Sequence, residues 1–349
     1  MLPHQGEACR AARPGASLAI RASMVWSKRA GMAPLYNGAM QSPIKDASPL
    51  LECVPNLSEG RDLAAIDRLW RQLGAIHGLR CLHRTSDPDH HRTVLTLAGS
   101  PESLRAAAHT LFEWALGQID LRQHQGVHPR IGAIDVLPIV PLRGIDWGEA
   151  ISFSRDPGAE LASRWQLPIY LYEYSASQAQ RVALPDIRRG GFEGLGEKMT
   201  KPDWAPDFGP DQPHLSLGAT VLGVRKLLIA WNVFLNSDDL QLAQRIARRI
   251  RTRNGGFAAL RALGFYLAHR QQVQISMNLL DFEQSSLFEI MTRIRELAAE
   301  AGVEVVGSEF IGLLPRRALL EAGWQYLTPG SAQLLPSLLE EQISPFDTL

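Results

Sequence analysis

From residue 50 onward, apolar positions alternate between two spacings, and each change of spacing marks an element. LLECV (50–54) reads as a strand. Asp62 then caps a helix in which Leu63, Ile66, Leu69, Trp70 and Leu73 recur every three or four residues. LRCLHRT (79–85) and RTVLTLA (92–98) are two strands joined by the polar SDPDHH. Ser100 with Pro101 opens a second helix, because proline in the first turn gives up only an orphan donor. GAIDVLPIV (132–140) is the next strand. From 226 the series starts again: KLLIAWNVFL is a strand, Ser237 caps a helix carrying Leu242, Ile246 and Ile250, and ALGFYLA (262–268) and QVQISMNLL (272–280) are strands. A helix with Leu287, Ile290, Met291, Ile294 and Leu297 precedes a last strand at 303–309.

The order β-α-β-β-α-β therefore occurs twice, without a clear residue-level repeat. It predicts an α+β protein of two ferredoxin-like subdomains packed side by side, with helices on one face of each sheet. The stretch between them, 145–225, shows neither period, and it is rich in Pro and Gly from about 185 to 223. A segment of that length is expected to be a binding surface or lid. The boundaries that follow are 49–225 and 226–346, preceded by 1–48.

Composition narrows the classes. The 349 residues are 45% hydrophobic and 21% charged, with 36 basic against 36 acidic side chains, which argues against a dedicated nucleic-acid binder. The basic run RIARRIRTRNGG (245–256) reads instead as the wet face of an amphipathic helix. Asp135, Pro138 and Pro141 break the best apolar stretch, so no membrane span is expected. Cys9, Cys53 and Cys81 lack paired spacing and suit a reducing compartment, the cytoplasm. Residues 1–48 hold four arginines and two lysines but only Glu7 and Asp46 as acids. They read as a disordered extension, with Met24, Met32 and Met40 as alternative starts, or as a transit-type leader.

The richest candidate chemistry lies in HQGVHPRIGAIDVLPIVPL (124–142). His128, made extended by the proline after it, should project to the same side as Arg130, pairing a titrating base with a fixed cation. An imidazole with an ordinary pKa of about 6.5 suits proton transfer both ways; the plainer alternative is a loop hydrogen bond. Arg130 either holds a substrate carboxylate or pairs with Asp135, whose place in an apolar strand demands a partner. His83, Asp87, Asp89, His90 and His91 cluster in sequence but lack metal-ligand spacing, so no metal is expected. Asn56, Ser58 and Glu59 read as ligand contacts or turn residues. GxGxxG, Walker and GxSxG patterns are absent.

Taken together, ECVPNLSEGR (52–61), SDPDHHRTV (86–94), HQGVHPRIGAIDVLPIVPL, LPIYLYE (167–173), LPDIRRGGFEGL (184–195), DWAPDFGP (203–210), GATVLGVRKLLIAWNVFL (218–235), QISMNLLDF (274–282) and GSEFIGLLP (307–315) resemble the formiminotransferase domain. That domain is the glutamate formimidoyltransferase part of formimidoyltransferase-cyclodeaminase and of stand-alone bacterial relatives. The resemblance spans about 50 to 325 and does not reach 1–48.

The resemblance implies transfer of the formimino group of N-formimino-L-glutamate to N5 of tetrahydrofolate in histidine degradation. His128 stands at the family's catalytic acid/base position. Both substrates are anionic, so Arg92, Arg130, Arg188, Arg225 and Lys226 are candidate substrate- and folate-binding cations, with Asn56 as a further contact. The folate-contacting stretch falls on GPDQPHLSLG, giving Gly209, Pro210, His214, Ser216 and Gly218. A homodimer and a separate cyclodeaminase are implied partners. Two positions depart from the animal enzymes: Thr85 replaces an aspartate and His91 an asparagine. His83, Asp87 or Asp89 would have to supply the missing carboxylate's effect. The alternative is a folate-binding homologue with little transferase activity, or one acting on another one-carbon folate such as 5-formyltetrahydrofolate.

Overall fold

β1 (Leu50–Cys53) and β2 (Asn56–Leu57) are one extended segment, interrupted at Pro55, which has no N–H to give to a ladder. The computed structural model describes residues 48–327 apart from 89, 127, 128 and 269; the basic extension, Asp89 and His128 therefore lie outside the described residues. Asp62 caps α1 (Leu63–Gly74), its carboxylate accepting the Ala65 N–H at 2.9 Å. β3 (Arg80–Asp87) and β4 (Arg92–Gly99) form a hairpin, and Ser100 caps α2 (Pro101–Gln118). β5 (Ile134–Arg143) completes the first predicted unit.

The stretch 145–225 holds more regular structure than its spacing suggests. Asp146 and Glu149 close a capping box on α3 (Trp147–Trp165), a helix of 19 residues. Pro157 inside it removes one backbone donor and disguises the helix in the sequence. β6 (Ile169–Leu171), the short helices α4 (Leu184–Arg188) and α5 (Leu195–Met199), and β7 (Thr220–Val224) follow.

Among the described residues the first sheet is seven-stranded. β4 lies between β3 and the β1/β2 segment, β5 flanks that segment on its other side, and β7 and β6 extend the β5 edge. Pairing is antiparallel as far as β5 and parallel from β5 through β7 to β6. α1, α2 and α3 bury Ile66, Leu69, Leu111, Phe112 and Leu161 against Leu51, Leu97, Leu137 and Leu222. On the opposite face α4 and α5 cover a smaller cluster of Val136, Tyr170, Tyr172 and Val221 with Ile187, Leu195 and Met199. The buried Arg181–Asp207 pair at 3.0 Å fastens that covering segment, and Asp207 also accepts the Leu171 N–H at 2.7 Å.

A second, four-stranded sheet follows, formed by β8 (Ile229–Leu235), β9 (Leu260–Leu267), β10 (Gln272–Leu279) and β11 (Val305–Ile311), in the order β11-β8-β10-β9 and antiparallel throughout. α6 (Leu240–Ile250) and α7 (Leu287–Ala299) pack Ile246, Ile250, Ile290 and Ile294 on Trp231, Val233, Ile275 and Met277; α8 (Arg316–Leu327) adds Ala318. Asp239, not Ser237, caps α6: its carboxylate accepts the Leu242 N–H at 3.0 Å, while the Ser237 hydroxyl accepts the Asp239 N–H. Among the described residues the molecule is thus mixed α and β, with two sheets, a main core for each and the smaller cluster on the other face of the first. The chain crosses from one to the other at Arg225, whose N–H still donates to Ile139, and Lys226, which already pairs with Asp281 at 2.6 Å.

Candidate functional site

Three loops of the first unit converge at one end of β4. They are the turn from β2 into α1, the β3–β4 hairpin tip, and the loop that precedes β5. Asn56, Ser58, His90, His91, Arg92, His124, Arg130 and Asp135 line a cleft there of about 200 Å³. Two guanidinium and three imidazole groups share this lining with one buried carboxylate, Asp135.

Asp135 is the buried anchor. Its Oδ1 accepts the N–H groups of Ile131 at 2.8 Å and Gly132 at 3.2 Å, and its Oδ2 accepts Nε and Nη2 of Arg188 at 2.9 and 2.5 Å. Arg130 is therefore not the partner of Asp135; Arg188, brought in from α4, takes that role because α4 packs over the β5 edge. Lys198 donates to the carbonyls of Asp186, Ile187 and Arg189 and so holds the C-terminal end of α4. Burial and neighbouring Arg189 bring the Lys198 ammonium down to about 8. Arg92 donates to Asn56 Oδ1, and Asn56 donates in turn to Val54 O at 2.9 Å. Burial, helped by Arg188, brings the Arg92 guanidinium down to about 10 against the pull of Asp135 and Asp87.

Arg130 instead grips Glu193 at 2.8 Å, and its Nε donates to His124 Nδ1 at 2.8 Å. Since an arginine only donates, that nitrogen of His124 is an acceptor. The other, Nε2, lies 3.0 Å from the His91 carbonyl and must carry the proton. His124 is thus neutral, and burial, followed by His91 and Arg130, lowers its pKa below the usual value despite the hydrogen bond to the His91 carbonyl. Its ring stacks on His91, with centroids 4.3 Å apart and planes 8° from parallel.

His91, in the left-handed region at φ 50°, places Nδ1 3.1 Å from Gln125 O and Nε2 3.2 Å from Glu59 Oε1. Burial works against the Glu59 charge, but the N–H groups of Arg61 and Asp62 and the His91 ring outweigh it and hold the carboxyl below its ordinary value. Arg61 also ties the hairpin to the loop, donating to Pro88 O and Gln125 O, each at 3.0 Å. The approach is close: a Cβ on Gly126 would lie 2.4 Å from His90 O.

Of the sequence-derived residues, Asn56, Arg92 and Arg130 meet at the cleft, and Arg188 sits behind them on Asp135. His128 falls outside the described residues, between Gly126 and the described Pro129 and Arg130. His214, Ser216 and Gly218 form a turn beside residues 131–132, whereas Gly209, followed by Pro210, lies against Leu167 O. His214 and Gly218 exchange backbone hydrogen bonds, Nδ1 of His214 accepts the Ser216 and Leu217 N–H groups, and Ser216 O accepts the Leu121 N–H. Gly209 and Gly218 have φ of 87° and 70° and lie against Leu167 O and Ile131 O, so both are required by the chain's own packing. Arg225 and Lys226 lie away from the cleft at the crossing between sheets, where Arg225 Nη1 donates to Lys226 O. Thr85 Oγ1 is 3.4 Å from His83 Nδ1, and Asp87 lies 2.9 Å from His90 Nδ1; Asp89, the third residue expected to offset Thr85, is outside the described residues. Among the described residues no group of three His, Cys, Asp or Glu side chains is arranged to hold a metal ion. Sequence reasoning overlooked His124 as a partner of Arg130 and Glu193 as its counter-ion; the six-residue step from 124 to 130 carries no periodic signal.

Two family models match the chain: the formiminotransferase domain, N-terminal subdomain, over residues 50–225, and the formiminotransferase domain over 230–342. A glutamate formimidoyltransferase of Streptococcus pyogenes serotype M1 is 39% identical over 294 residues, covering 84% of this chain and 98% of its own. One from Thermoplasma acidophilum is 36% identical over 280 residues, covering 80% and 92%. The formimidoyltransferase-cyclodeaminase of Rattus norvegicus is 40% identical over 285 residues; the match takes in 80% of this chain and 52% of that protein, so this chain spans about half of its length.

Proposed function

We propose that this chain, which belongs to the formiminotransferase domain family, is a glutamate formimidoyltransferase that moves the formimino group of N-formimino-L-glutamate onto N5 of tetrahydrofolate. The observation that carries the reading is the match along nearly the whole length of the streptococcal glutamate formimidoyltransferase. A cleft lined by two guanidinium and three imidazole groups agrees with an anionic amidine substrate.

In this reading N5 of the folate attacks the amidine carbon, and His128 takes the N5 proton as the tetrahedral intermediate forms. The same imidazole then protonates the departing nitrogen, the C–N bond to glutamate breaks, and glutamate leaves. Arg130 and Arg92 hold carboxylate, Asn56 keeps Arg92 aimed, and Arg188 fixes the backbone of residues 131–132 through Asp135. The turn 209–218 borders the pterin, and Arg225 and Lys226 meet the acidic tail of the folate. Holding both reactants in attack geometry supplies several kcal/mol of the barrier, up to about 7–11 in ideal cases. Each unit is a ferredoxin-like fold, consistent with the strand order β3-β4-β1-β5 in the first sheet and β9-β10-β8-β11 in the second, and the boundary falls near 225. The protein works in the cytoplasm as a homodimer, and a separate cyclodeaminase consumes its product.

A coupled assay of glutamate release tests the reading. Glutamate should appear from N-formimino-L-glutamate only when tetrahydrofolate is present. Micromolar folate binding without release would favour the alternative of a folate-binding homologue, a reading motivated by Thr85 and His91; activity confined to 5-formyltetrahydrofolate would favour the other.

A further inference from the structure

We propose that His91 is a positioning residue: protonated on both ring nitrogens, it clamps the loop that carries His128 onto the turn between β2 and α1. The effect on rate rests on the transferase reading; the clamp itself does not.

The argument is one of donors and acceptors. Gln125 O, 3.1 Å from Nδ1, is a backbone carbonyl and only accepts. Glu59 Oε1, 3.2 Å from Nε2, already accepts the Arg61 and Asp62 N–H groups at 2.7 and 3.0 Å, so it is an ionised acceptor too. Both contacts are hydrogen bonds only if His91 is an imidazolium. A neutral ring would turn a lone pair toward either the carbonyl or the carboxylate, and one end of the clamp would open.

The stacked neighbour supports this state. His124 is neutral, fixed so by Arg130 on one nitrogen and by the His91 carbonyl on the other, which spares the pair the repulsion of two stacked cations. Charged groups meet His91 from each packed element. Glu59 and Arg61 face it from the β2–α1 turn, and His124, backed by Arg130, from the loop. From its own hairpin, His90 is occupied by Asp87, and Arg92 points to Asn56. Asp89 and His128 lie outside the described residues. Gln125 is three residues before His128, and Gly126 lies so close to the hairpin that a Cβ there would meet His90 O at 2.4 Å. Gln125 O also accepts from Arg61 Nη2 at 3.0 Å, so losing the Nδ1 donor leaves that carbonyl with one holder in place of two. An asparagine here cannot donate from two opposed ring nitrogens, so this chain carries a two-ended donor at a position where the resemblance implies an amide.

The test uses the full chain with its histidine rings labelled with nitrogen-15, His91 being assigned by its absence in His91→Asn. The clamp predicts a doubly protonated His91 ring in the ligand-free protein at neutral pH, losing a proton at the pH where the Gly126 amide signal moves. For glutamate release, His91→Asn should lower kcat by about 10- to 100-fold with KM for the amidine within roughly twofold. Glu59→Gln, which deletes the facing charge, should move the His91 titration to lower pH. A neutral His91 ring at neutral pH overturns the proposal, as does a Gly126 signal indifferent to that titration, or His91→Asn with wild-type kcat and pH profile. If the wild type releases no glutamate, the transferase reading fails, and the coupled or independent titration of His91 and Gly126 still decides for or against the clamp.

Discussion

Removing Arg188 leaves the Asp135 carboxylate buried with an unmet charge, and the cost can be worked from the geometry. Their side chains are 13% and 4% exposed, and the contact is made through two guanidinium nitrogens to one carboxylate oxygen. Breaking a buried ion pair on one side costs about 3–5 kcal/mol. Asp135 keeps the Ile131 and Gly132 N–H groups, so Arg188→Met should fall near the lower end, about 3 kcal/mol. For a chain of 349 residues, with an unfolding entropy of about 2.1 cal/mol/K per residue, that corresponds to a fall in Tm of about 4 °C. Urea unfolding, followed by tryptophan fluorescence and far-ultraviolet circular dichroism together, measures it where the two transitions coincide. Adding Asp135→Asn to Arg188→Met should recover part of the loss, because the stranded charge is then gone. A loss below about 1 kcal/mol for Arg188→Met, the range of an exposed pair, would refute the assignment of this contact as the anchor of the 131–132 backbone.

The Glu59 carboxyl is held below its ordinary value of 4.5, so its stabilising contribution is complete above that pH and drains away as pH falls through the lower native value. Glu59→Gln should flatten the acid side of the stability profile in that window; an unchanged acid slope contradicts it. Gly218→Ala places a Cβ 2.1 Å from Ile131 O at φ 70°, and should destabilise by more than about 3 kcal/mol in the same urea experiment; a loss under about 1 kcal/mol counts against the packing described. Thr85→Asp should raise kcat for glutamate release, since a carboxylate stabilises an imidazolium better than a hydroxyl does; a wild-type rate would show that Thr85 costs nothing.

Strong periodicity made most of the architecture legible. α1, α2, α6 and α7, and the strands on either side of each hairpin, stand close to where the apolar spacing puts them. α3 was hidden by Pro157 despite the Asp146 and Glu149 capping pair, and β6 is only three residues long. Residue types at the cleft were legible too, because charged and imidazole side chains near apolar strands need partners. Which partner each one takes was not. Asp135 and Arg188 are 53 positions apart, and Arg130 and Glu193 are 63 apart, so their pairing depends on how α4 and the glycine turn after it fold back over β5. Gly209 and Gly218 stand in the stretch that the resemblance assigns to folate, and close approach to the chain's own carbonyls also demands them.

The central claim is that the imidazole at position 128 moves the proton in group transfer. Its most direct test is steady-state glutamate release by His128→Ala with tetrahydrofolate present, alongside calorimetric folate binding. The account predicts a fall in kcat of about 10²–10⁴-fold with folate affinity held within a few-fold of the wild type. Wild-type turnover in the substituted protein would contradict it.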